Sequence, residues 1–205
     1  MSAKDKILIT GCHRGATQYI WRIMDLCGLK LGHESLERNG TVDWFAMYRD
    51  RQKKVGGPEN FGKVIHQMRH PLNNIDSLRL MSTSTWEFHK QWISTSEKAE
   101  ENRIQMGMES WYWWSMHGKR ISHYRYRVEA LKDVFEELCE FIGATPNWYA
   151  LEKIPRNEHY DPDKLKFGYK YLTWKDMEAT DVKLCKKIRT LAMEYGYPEE
   201  SLYDS

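Results

Sequence analysis

The apolar positions of this chain fall into two rhythms. Behind the polar opening "MSAKDK", Ile7, Leu8 and Ile9 form an unbroken apolar run, the mark of a strand buried on both faces. A turn from Gly11 to Gly15 follows, and a 3.6-residue rhythm then predicts a helix over about residues 16–28, with Gly28 as its C-cap. "LKLG" predicts a second short strand ending at His33 and Glu34, so the chain opens as β-α-β. Asn39-Gly40 reads as a turn, residues 42–48 as a short amphipathic helix, and Gly56-Gly57-Pro58 as a loop.

"GKVIHQMRHP" predicts another buried strand that ends at Arg69, with Pro71 suited to the first turn of the next helix. Helical spacing runs from about Glu97 to Ser115, through Ile104, Met108 and Trp111. "ISHYRYRVEAL" reads as a strand leading to a helix from about Leu131 to Ile142. Residues 143–173 are rich in loop formers, and a last helix is expected from about Trp174 to Tyr195. Alternating strands and helices predict an α/β fold of three layers, a central, mainly parallel sheet with helices on both faces. No repeat is evident, and 205 residues suit one domain spanning 1–205.

The first strand, turn and helix are the architecture of a phosphate-binding P-loop, because N–H groups at a helix start favour an anion. Set against G-x-x-x-x-G-K-[ST], Gly11 fits the first glycine, but Ala16 stands at the second, Thr17 at the lysine and Gln18 at the metal-ligating hydroxyl. Arg14 lies inside the loop, and its planar fork of donors suits a pair of phosphate or sulfate oxygens without a metal.

Composition narrows the classes further. The 31 basic and 29 acidic side chains are interspersed and net to +2, which argues against a polybasic nucleic-acid or membrane surface. Cys12, Cys27, Cys139 and Cys185 form no C-x-x-C pair, and the histidines show no H-x-x-x-H spacing, so no metal site is expected. The cysteines read as core filler in a reducing compartment. With neither a signal-like opening nor a run of about 18 apolar residues, the expectation is a cytoplasmic protein.

Three stretches together resemble the P-loop sulfotransferases that use 3′-phosphoadenosine 5′-phosphosulfate (PAPS). "GCHRGATQYI" resembles the family's 5′-phosphosulfate loop, G-x-P-R-S-G-T-T, with Arg14 at the basic position and Thr17 at the first threonine; His13, Gly15, Ala16 and Gln18 depart from it. "HQMRHPLNNIDSL" resembles the 3′-phosphate segment, in which a strand-ending arginine is followed by a serine on the next helix, here Arg69 and Ser77, with His70 in place of the usual acidic residue. "GLKLGHESLERNGTVDWF" is similar to the Gly-His-Glu region of a small bacterial and phage branch of the family.

The resemblance implies PAPS as sulfuryl donor, held by Gly11, Cys12, His13, Arg14, Gly15, Ala16, Thr17, Gln18, Arg69 and Ser77. It also implies Arg127, in "YRVEAL", and a late loop, "KFGYKYLTW", that closes over the nucleotide through Gly168, Tyr169 and Lys170. Glu34 corresponds to the family's catalytic base, with His33 the runner-up because imidazole titrates near neutral pH. The expected acceptor is a hydroxyl or amine of a small molecule or glycan. Sulfuryl transfer moves less charge than phosphoryl transfer, so Arg14 and the loop N–H groups can serve without magnesium. Two other readings stand: a Mg-ATP-dependent P-loop kinase, disfavoured by Thr17 and Gln18, and a degenerate member that binds a nucleotide or a protein. Arg125 and Arg127 share one strand face and suggest a strand end near the site, or an ion pair between Arg127 and Glu129.

Overall fold

A computed structural model describes residues 5–44, 57–91, 93, 95–155 and 170–202. The chain forms two compact units, Met1–Arg69 with His117–Arg156, and His70–Met116 with Asn157–Ser205.

The first unit carries a five-stranded, all-parallel sheet. Its strands are β1 (Ile7–Thr10), β2 (Leu31–His33), β3 (Gly40–Val42), β4 (Lys63–Met68) and β5 (Tyr124–Arg127), in the order β2-β3-β1-β4-β5. Helix α1 (Thr17–Leu26) joins β1 to β2. It ends where expected: Gly28 takes a φ of 83°, its N–H bonds the Asp25 carbonyl, and the Leu29 N–H bonds Met24, closing the last turn. Side chains of β1 alternate between two apolar layers. Ile7, Ile9 and Ile65 meet α1, α6 (Phe135–Ile142) and α7 (Trp148–Lys153), whereas Leu8 and Val64 face Phe61 and Ile121 at the end of α5 (Arg103–Ile121). The expected three-layer P-loop α/β architecture is what the chain adopts, with helices on both faces of the sheet.

Asn39-Gly40 is not a free turn, and residues 42–44 are not helical; the rest of that expected helix lies outside the described residues. Gly40 instead opens β3 with a φ of 135°, and a Cβ there would sit 1.9 Å from the Ile7 carbonyl oxygen. Its glycine therefore permits close approach of two backbones, while Asn39 ties β2 to β3 by receiving the Lys30 N–H on its side chain.

In the second unit, α2 (Pro71–Leu78) and α3 (Thr83–Lys90) precede α4 (Glu97–Glu101) and the start of α5. The single helix expected over residues 97–115 divides at Asn102, whose side chain accepts the N–H groups of Ile104 and Gln105 and so caps α5. The last helix divides likewise into α8 (Trp174–Thr180) and α9 (Val182–Glu194), because Asp181 caps the Leu184 N–H. Helix α6 starts four residues later than expected, after a 3-10 turn at Val128–Ala130. Among the described residues no helix is long and apolar enough to cross a membrane.

Candidate functional site

In an open parallel sheet, ligands bind beyond the C-terminal strand ends where the chain's connections diverge. Here β1 leads toward β3 and β2 on one side, and β4 leads to β5 on the other, so the divergence falls between β1 and β4. The turn after β1 and the residue after β4 are Gly11–Ala16 and Arg69, the two places picked out in the sequence.

The turn is wound in an unusual way. Among the described residues other than glycine, only Arg14, Ala16 and Glu34 have positive φ, at 61°, 67° and 56°. Left-handed backbone costs an ordinary residue about 1–2 kcal/mol, and such residues concentrate at functional sites. Within the loop, left-handed Arg14 and Ala16 flank Gly15, and left-handed residues at the start of a helix are a backbone feature of anion-binding turns. Gly15 is required for another reason: its N–H closes onto the Cys12 carbonyl at 2.8 Å, and a Cβ would stand 2.5 Å from that oxygen. Gly11 similarly lies against β4, where a Cβ would come within 2.6 Å of the Gln67 carbonyl oxygen.

Strand β4 holds the loop from behind. Gln67 Nε2 donates to the Gly15 carbonyl at 2.7 Å, and the Gln67 carboxamide oxygen accepts from the buried Tyr126 hydroxyl at 2.7 Å. Arg69 Nη1 donates to the Arg14 carbonyl at 3.1 Å, so this arginine braces the left-handed turn with one of its five donors. Gln67 and Tyr126 went unsuspected in the sequence, because a polar residue in an apolar strand carries no mark of which backbone it will meet. Ala16, as N-cap of α1, offers no side-chain acceptor, and the first turn of α1 has no acidic residue, so the helix start suits an anion. Cys12 is buried, and burial pushes its thiol up, out of the range of a nucleophile at neutral pH.

On the other side of β1 lies the second half of the site. Glu34 follows β2 and is exposed. Its Oε1 accepts the indole N–H of Trp44 at 2.9 Å. Trp44 follows β3, is buried, and stacks on the His13 ring with centroids 4.1 Å apart and planes 5° from parallel. His33 Nε2 lies 3.4 Å from the Thr17 hydroxyl, and its ring meets Trp21 with centroids 5.6 Å apart. Burial lowers the His33 pKa and the Glu34 charge opposes that shift, the first effect being the larger. His33 is therefore neutral at pH 7 and engaged with the first residue of α1.

The remaining expected residues belong to both units. Arg127 is half-buried at the end of β5, opposite Met68. Gln18 is half-buried in the first turn of α1. In the second unit, Ser77 is half-buried on α2 and exposed Lys170 places its ammonium 3.3 Å from Asp176 Oδ1. Gly168 and Tyr169 lie outside the described residues. Among the described residues no group of three His, Cys, Asp or Glu side chains could hold a metal ion.

No family model and no curated protein matches the sequence. Among solved structures the chain is similar to a mouse sulfotransferase, SULT7A1, complexed with PAP, at 12% identity and a TM-score of 0.43 over 97% of this chain and 86% of that one.

Proposed function

We propose that the protein is a PAPS-dependent sulfotransferase acting on a hydroxyl or amine of a small-molecule or glycan acceptor. The observation that supports this reading is the loop itself: a left-handed turn at a helix start that contains Arg14, is braced by Arg69 and lacks the lysine and hydroxyl of a Mg-nucleotide site, with Glu34 following the strand two places along the same sheet. When bound, PAPS supplies an activated sulfuryl group and departs as 3′-phosphoadenosine 5′-phosphate (PAP).

The chain's own tasks then divide cleanly. The N–H groups of the loop and the start of α1 bind the 5′-phosphosulfate, and Arg14 offsets the negative charge that gathers on its oxygens during transfer. Arg69 keeps the loop curled and is assigned to the nucleotide phosphate. Glu34 takes the proton that the acceptor loses as it attacks.

Thermal unfolding with PAP, with ATP plus Mg²⁺, and with neither tests the donor. A ligand at 100 times its Kd adds about 2.7 kcal/mol, a rise of roughly 5–10 °C. The expected result is a rise with PAP that disappears in Arg69→Ala; a rise with Mg-ATP alone overturns the reading in favour of a kinase. Glu34→Gln is expected to keep the PAP shift while losing transfer.

A further inference from the structure

Beyond the loop and Glu34, one side chain touches both halves of the site. Trp44 donates its indole N–H to Glu34 Oε1 at 2.9 Å and lays its ring flat against His13, at the middle of the loop, 4.1 Å between centroids. The sheet order explains why it is this residue. Glu34 follows β2 and His13 follows β1, and β3 runs between those two strands, so a residue just past the tip of β3 has the loop on one side and the carboxylate on the other. Trp44 stands two positions after β3, buried, with its backbone fixed just beyond the Asp43 N–H bond to the Ile9 carbonyl at 3.0 Å.

We infer that Trp44 is a positioning residue that sets the distance and orientation of the Glu34 carboxylate relative to the donor loop, its ring supporting the loop through His13 and its N–H fixing the base. The inference rests on the sulfotransferase reading for the role of Glu34. It also divides the labour between the carboxylate oxygens. Oε1 is occupied by the indole, whereas Oε2 has no hydrogen bond within the described residues, and Glu34 is exposed. Oε2 is thus the oxygen that takes the acceptor's proton. A carboxylate anchored at one oxygen keeps the other in a fixed direction without losing its basic site, and misplacing a reacting group by about 1 Å costs on the order of a hundredfold in rate. The left-handed φ of Glu34 serves the same end, since it turns the side chain away from the course the strand would otherwise give it.

Two substitutions separate the ring from the N–H. Trp44→Phe keeps an aromatic face for His13 and removes the donor. It is expected to lower kcat by about tenfold to a hundredfold, while leaving the KM for PAPS and the calorimetric Kd for PAP within about twofold. Trp44→Leu removes both features and is expected to weaken PAP binding by about fivefold or more as well, with thermal unfolding verifying that each variant is folded. An unchanged kcat in Trp44→Phe, or equal losses of PAP affinity in the two variants, overturns the inference.

A readout independent of turnover uses the ¹⁵N–¹H indole signal of Trp44, identified by its loss in Trp44→Phe. That signal is expected to move in Glu34→Gln, through the hydrogen bond, and in His13→Ala, through the lost ring current. A signal that ignores both substitutions refutes the positioning role. If it responds to both while the wild type transfers no sulfuryl group from PAPS, the contacts stand and it is the sulfotransferase reading that fails.

Discussion

Arg14 is held in a backbone conformation that its own side chain disfavours, by a guanidinium three strands' worth of sequence away. The φ of 61° at this position and the Arg69 bond to its carbonyl belong together: the brace maintains what local preference would relax. Replacing Arg14 by glycine leaves that carbonyl in place and removes the Cβ that makes the left-handed turn costly. Arg14→Gly is therefore expected to be more stable by about 1 kcal/mol, seen as a rise of roughly 2–4 °C in the unfolding midpoint. On the proposed sulfotransferase reading, the same variant is expected to lose about 10²–10³ in rate, because the cationic side chain of the loop is gone. Rising stability with falling turnover is the signature of a residue kept for function. A variant that loses stability would make Arg14 a structural residue instead.

At the scale of elements, the close contacts of glycine decide more than its flexibility. Gly118, in the last turns of α5, lies against the buried ring of His66 on β4, and a Cβ there would stand 2.3 Å from the ring. On an exposed helix surface, glycine to alanine gains up to about 1 kcal/mol. Here the added methyl group has no room, and Gly118→Ala is expected to destabilise by about 1–3 kcal/mol in urea unfolding. A neutral result would mean that α5 can slide off β4 without cost. The same kind of contact explains what the sequence left hidden. The β1, loop and α1 sequence and the β4 strand with Arg69 were legible because their apolar runs are long enough to show a period and because Gly11, Gly15 and Gly28 punctuate them. Strand β3 has three residues and opens with a glycine, so it shows no period, and Gly40 reads as a turn until its 1.9 Å clearance from Ile7 is known. Asn102 and Asp181 are N-caps inside apolar rhythms that look continuous, which is why the pattern predicts one helix where each pair of helices stands. Trp44 was invisible for a different reason: its partners, Glu34 and His13, are neighbours only once β3 has inserted between β2 and β1.

Over the whole molecule, two histidines tie stability to pH. In the first unit, His66 of β4 is buried against Gly118, and burial, then the positive charges of Arg125 and His117, push its pKa down to about 3. In the second unit, burial lowers His89 to about 4; its ring sits between Trp86 and Trp114 with the Ser110 hydroxyl 3.4 Å from Nδ1. Both pKa values lie below the 6.5 of an unfolded histidine, so between these limits the unfolded chain binds more protons than the folded one. Stability is then fully present above pH 6.5 and falls as the pH is lowered toward 4, where His89 titrates in the fold, and on toward 3 for His66. Each group can contribute a slope of up to about 1.4 kcal/mol per pH unit in that window. Urea unfolding at pH 7, 6, 5 and 4 is expected to show this decline at a constant m-value, which separates a titration effect from a change in the unfolded ensemble. His89→Gln removes one of the two protonation sites, so its curve is expected to start lower at pH 7 and to fall less steeply between pH 6 and 4. Parallel curves for the variant and the wild type would show that His89 takes up its proton without opening the fold, and that its burial among the tryptophans is not what limits stability in acid.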